Sequence, residues 1–157
     1  MLNFNPESYQ GTWFELGKYP VQYESVKCNY STAIYRYNKQ GNYINVLNTC
    51  YGDNNQPLVS ILGIAKPKNT SGEFNIKFFS ESFTPYPVNP YPQPYNVLWT
   101  DYNNFSFVGD DQSFYILIRK PYVTVDQFKF ILNKIQNLGY DIEKVNFNFS
   151  SDRYKYY

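Results

Sequence analysis

Nucleophilic and acid–base chemistry needs a reactive side chain beside a group that can move its proton, and this 157-residue chain holds few of the usual parts. It has no histidine, which removes the commonest transition-metal ligand and the usual general base near neutral pH. Zinc sites and Ser-His or Cys-His nucleophile pairs are therefore excluded within this chain. What remains is Cys28 and Cys50, the carboxylates Glu15 and Glu24, and 18 tyrosines. A catalytic reading would have to rest on these groups, so a non-catalytic role without metal or cofactor is expected.

The elements that must position them read as mostly β structure. Aromatic residues make up 21% of the chain, and the preference for Tyr and Phe over Leu favours strands. Strands are expected over Trp13–Leu16, Cys28–Tyr37, Asn42–Tyr51, Leu58–Lys66, Phe74–Ser82, Tyr95–Asp101, Phe105–Val108 and Ser113–Lys120. The run "NKQG" supplies the polar residues and the glycine of a hairpin loop between the second and third. Only one segment reads as a long helix: Thr124 caps it, Gln127 reaches back, and Val125, Phe128, Ile131, Leu132 and Ile135 form an apolar stripe. Gly139 is placed to end that helix, and a short strand, Lys144–Phe149, follows. The tail 151–157 is expected to be loose.

Length and charge narrow the partner. A single domain of this size buries about two thirds of its unfolded surface and needs no metal or disulfide to fold. Fourteen Lys and Arg stand against 13 Asp and Glu without long runs of one sign, so no footprint for nucleic acid is visible. An uncharged partner suits the chain better. The first ten residues lack the apolar stretch of a signal peptide or membrane span.

Three scattered signals share one explanation. Gly11, Thr12 and Trp13, then Thr100, Asp101 and Tyr102, then Arg119 at the end of a strand-like run, resemble in order and spacing the three short conserved regions of the lipocalins. The runs "GTWFELGKYPVQYE", "YNVLWTDYNNFSFV", "FYILIRKP" and "VDQFKFILNKIQNLGYDIEKVNF" are similar to that family's first strand, sixth and seventh strands, eighth strand, and terminal helix and strand. The "STAIYRYNKQGNYINVLN" hairpin looks most like the bacterial, plant and apolipoprotein D branch. This resemblance covers residues 8–150 and implies an all-β fold: an eight-stranded antiparallel up-and-down barrel with one helix packed outside. Such a barrel leaves room for side chains or one small ligand, with lipocalins a standing example.

The resemblance also assigns roles. Trp13 would plug the closed end with Arg119 stacked over its ring, a contact of roughly 0.5–2 kcal/mol. Gly11 would allow close approach there, and Asp101 would accept hydrogen bonds from turn amides. These residues identify the fold and do not locate a ligand. Strand alternation nominates Phe74, Ile76, Phe78, Val46, Val97, Trp99 and Ile116 for the lumen, although a slip of one residue would reverse a whole strand.

Two further features are individual. The stretch "SFTPYPVNPYPQPY", residues 82–95, carries Pro85, Pro87, Pro90, Pro92 and Pro94 with Tyr86, Tyr91 and Tyr95. Lipocalin connectivity puts it at the open mouth, where proline stiffens it into a lid or rim; a protein-docking segment and a passive insertion are the other readings. Cys28 and Cys50 lie on the two arms of the hairpin, which makes a cross-strand bridge feasible; two buried thiols or one reactive luminal thiol are the alternatives.

The leading function is transport or sequestration of a small hydrophobic molecule, with fatty acids, lysophospholipids and sterols as candidates by resemblance. Burying about 200–300 Å² of apolar ligand contributes roughly 5–8 kcal/mol before the cost of association. A haem or tetrapyrrole is the alternative ligand, and haem would need a tyrosine or no axial ligand. An isomerase-like enzyme and an interaction module or homo-oligomer using the Pro/Tyr loop are the other classes, and transient contact with a membrane surface is compatible with the carrier. Family resemblance favours a secretory, extracellular, vacuolar or periplasmic setting over the cytosol. The sequons at Asn29, Asn69, Asn104 and Asn148 would permit glycosylation there.

Overall fold

A computed structural model of the chain describes residues 3–20, 28–79 and 91–148. The strands are β1 (Gly11–Lys18), β2 (Tyr30–Asn38), β3 (Tyr43–Tyr51), β4 (Pro57–Pro67), β5 (Glu73–Phe79), β6 (Gln93–Thr100), β7 (Phe105–Gly109) and β8 (Phe114–Ile118). Each pairs antiparallel with the next, and β1 pairs with both β8 and β2, so the sheet closes on itself. A two-residue β9 (Asn146–Phe147) adds outside β1, shorter than the expected Lys144–Phe149.

Helix α2 (Val125–Asn137) forms where the stripe predicts. Thr124 accepts from the Gln127 amide and the Gln127 side chain accepts from the Thr124 amide. Gly139 follows the helix at φ +87°, a conformation that costs glycine little. Ile131 and Ile135 are fully buried against Leu16, Phe105, Phe107, Phe114, Ile116 and Ile118 on the outside of β1, β7 and β8. This second core explains why β8 is apolar on both faces. A short helix α1 (Pro6–Tyr9), not anticipated from the sequence, precedes β1; Asn5 caps it and a proline occupies its first position.

Two bulges decide which side chains face inward. The β1–β8 register shifts between Glu15 and Gly17, and the β6–β7 register shifts between Val97 and Trp99. Each inserts one extra residue and turns two successive positions to the same side. On β1, Trp13 and Glu15 face the interior by alternation and the bulge then leaves both Leu16 and Gly17 facing outward; on β6, Val97 faces inward and both Leu98 and Trp99 face out.

Candidate functional site

The closed end of the barrel is built from the motif residues. Trp13 is fully buried, and its indole N–H donates to the Tyr9 carbonyl at 3.0 Å. The Arg119 guanidinium carbon lies 3.8 Å from the centroid of that indole. Its Nε donates to the Tyr102 carbonyl at 2.8 Å, Nη1 to Thr12 at 3.1 Å and Nη2 to Ser8 at 3.0 Å. One side chain thus ties α1, β1 and the β6–β7 turn together. Burial lowers the guanidinium pKa, and Tyr9 and Asp101 oppose that shift. Gly11 sits at φ +104°, and a Cβ there would come within 3.1 Å of Arg119 Nη1. In the turn, Asp101 accepts from the amides of Asn104 and Phe105, and the Thr100 hydroxyl donates to the Phe105 carbonyl. The Tyr102 hydroxyl accepts from the Asn5 amide.

Above the indole lies a floor of tyrosines. The Tyr9 hydroxyl is 2.7 Å from Ser106 Oγ and 2.9 Å from the Tyr95 hydroxyl, which lies 2.8 Å from that of Tyr35. Burial dominates their ionisation: it pushes Tyr9 up to about 12 and Tyr35 and Tyr95 well above the usual phenol value. The space bounded by Tyr9, Ile44, Ala65 and Phe74 is too tight to admit a water.

Toward the other end the barrel opens into a cavity of about 390 Å³. Its wall includes Val46, Ile76, Phe78 and Tyr95 from the expected set, together with Glu15, Tyr35, Asn48, Tyr115 and Leu117. Asp110 and Ser113, in the β7–β8 turn, place the mouth at that end. The volume falls within the range of small-molecule sites, about 300–1,000 Å³.

Not every nominated residue lies there. Phe74 and Val97 point inward but belong to the packed interior rather than the cavity wall. Trp99 and Ile116 are corrections: both belong to the outer core under α2. Trp99 packs at 5.6 Å from Phe130 and 6.0 Å from Phe107, with Lys134 Nζ 4.5 Å from its ring, because the bulge after Val97 reverses its side. Ile116 pairs with Gly17 and Phe107, so its outward neighbours settle a parity that a strand apolar on both faces conceals. Tyr91 is exposed. Tyr86, most of the Pro/Tyr segment, Glu24 and the tail 151–157 lie outside the described residues, while Pro94 and Tyr95 belong to β6 and not to a loop.

Cys28 and Cys50 are bridged, with Cα atoms 5.4 Å apart. The bond is not between opposite positions of the hairpin: Cys50 faces Ser31, and Cys28 precedes β2. It fastens the entering segment to the open end of β3, and the thiol alternatives fall away.

A closed eight-stranded barrel with a sealed base and an open, largely apolar chamber is the architecture of a small-molecule binding barrel. The lipocalin-like domain model matches residues 4–149, and the chain belongs to the lipocalin family, whose members bind small hydrophobic ligands. It is 32% identical over 157 residues to mouse apolipoprotein D, covering 91% of this chain and 75% of that one. It is 27% identical to temperature-induced lipocalin-1 of Arabidopsis thaliana, covering 94% and 80%. Among solved structures it resembles insecticyanin from the tobacco hornworm Manduca sexta, with TM-score 0.71 and 18% identity over 99% of this chain and 87% of that one. Lobster apocrustacyanin A1 is similar at TM-score 0.65 and 17% identity, covering 91% and 78%.

Proposed function

We propose that this lipocalin carries or sequesters one small apolar or amphipathic molecule in its lumen, without catalysing a reaction on it. The observation that carries the reading is the 390 Å³ cavity standing over a closed floor of Trp13, Tyr9, Tyr35 and Tyr95. A ligand enters at the Asp110 end, lays its apolar body against Val46, Ile76, Phe78 and Leu117, and stops at the tyrosine hydroxyls. Removing its surface from water supplies the affinity, at about 25 cal/mol per Å² before association costs. The floor tyrosines do not suit a phenolate ligand for haem iron, because burial holds them protonated and their hydroxyls bond one another. The Cys28–Cys50 bridge supports an oxidising setting such as the secretory pathway or beyond it.

Titration with the neutral fluorophore N-phenyl-1-naphthylamine tests this reading. Saturable binding at one site per chain, at micromolar concentration, is expected. A fluorescence rise that never saturates, or none at all, would overturn it.

A further inference from the structure

The cavity wall is charged unevenly. Among the described residues, its charged side chains are Glu15 and Asp110, both carboxylates. Glu15 stands two residues from Trp13 on the inward face of β1, opposite Leu117, and near enough to Tyr35 to oppose its ionisation. Asp110 sits at the mouth, where its Oδ1 accepts from the amides of Gln112 and Ser113 at 2.8 Å each. Those two bonds hold the carboxylate in place. Lys18 Nζ lies 4.0 Å from Glu15 and is nearly as sheltered, so it offsets part of the Glu15 charge, although Lys18 itself is not part of the wall.

An entering anion would therefore have to draw Lys18 away from Glu15 and would still pass Asp110. Inside an apolar chamber those repulsions are screened far less than in water. An entering cation meets two carboxylates and the rings of Tyr35, Phe78 and Tyr115, whose faces attract positive charge.

We infer that the lumen selects cationic or neutral amphiphiles over fatty-acid anions of the same length, with an ammonium or hydroxyl head at Asp110 in the mouth, an apolar body running down the chamber, and Glu15 adding negative charge nearer the floor. The inference rests on lumen binding as proposed above and narrows the ligand class within it.

Displacement of N-phenyl-1-naphthylamine by dodecyltrimethylammonium, 1-dodecanol and dodecanoate, each below its micellisation concentration at neutral pH, tests it. The ammonium and the alcohol should each displace the probe at least tenfold more effectively than the carboxylate. Glu15→Gln should narrow the ammonium-to-carboxylate ratio threefold or more. Asp110→Asn, which keeps the acceptor for the turn amides, should shift the ratio in the same direction. Dodecanoate competing as well as the ammonium, or a ratio unmoved by both substitutions, would overturn the inference. So would failure of all three alkyl chains to displace a probe that itself binds. Failure of the probe to bind would instead remove the lumen-binding reading beneath it.

Discussion

Replacing Arg119 measures how much of the barrel's closure rests on one side chain. The guanidinium lies 3.8 Å over the Trp13 ring, and its half-buried position places that contact at about 1–2 kcal/mol. Its Nε bond to the partly buried Tyr102 carbonyl adds about 1.5 kcal/mol, because that carbonyl would lose a charged donor. The bonds to Thr12 and Ser8 are exposed, so water replaces the donor and they contribute little. Arg119→Ala should therefore lower stability by about 3 kcal/mol. For a domain of this size that corresponds to a fall in Tm of roughly 6–12 °C. Arg119→Lys keeps the charge but loses the planar fork and should recover no more than about half of that. Urea unfolding followed by far-UV circular dichroism reads both values. Probe affinity should stay within twofold of wild type, since Arg119 lies beneath the floor and outside the cavity wall. A loss below about 0.5 kcal/mol for Arg119→Ala, or full rescue by lysine, would refute the reasoning.

Three other perturbations separate parts of the account. Trp99→Ala removes contacts to Phe107, Phe130 and Lys134 on the outer face, so it should destabilise by about 2 kcal/mol in urea unfolding and leave probe affinity unchanged. Tyr9 titrates near 12 when folded against about 10 unfolded. The unfolded chain therefore loses its proton first, and stability present below pH 10 falls as pH rises from 10 toward 12, by on the order of 2–3 kcal/mol; Tyr9→Phe should flatten that part of an alkaline unfolding curve. Cys50→Ser opens a bridge spanning 22 residues, which by loop-closure entropy should cost about 3 kcal/mol in unfolding experiments while the oxidised protein resists urea better than the reduced one.

The closed end of the barrel was legible because its residues are few, distinctive and fixed in order. Trp13, Asp101 and Arg119 stand where the family pattern places them, and the Thr124–Gln127 box marks the helix start correctly. The lumen was legible only where strands alternate cleanly, as β5 does with Ile76 and Phe78 inward and Lys77 exposed. Trp99 was misplaced because a bulge is a backbone event: nothing in "NVLWT" tells which residue the partner strand skips. Ile116 was misplaced because helix packing makes both faces of β8 apolar and erases the alternation. Tyr9 carries only a local signal: Asn5 followed by Pro6 is a helix start, and that short helix aims Tyr9 at the barrel floor. Glu15 shares the inward face of β1 with Trp13 by simple alternation, whereas the bulge after it, which turns both Leu16 and Gly17 outward, leaves no mark in the sequence.

Filling the chamber tests the central claim most directly. Val46 is buried in the cavity wall, so Val46→Trp adds an indole to the space a ligand would take, whereas Leu62→Trp adds the same ring on an exposed position of β4. With both variants folded by circular dichroism, binding of N-phenyl-1-naphthylamine should weaken at least tenfold in Val46→Trp and remain unchanged in Leu62→Trp. Undiminished binding by a folded Val46→Trp would contradict the account, because the site would then lie somewhere other than the lumen.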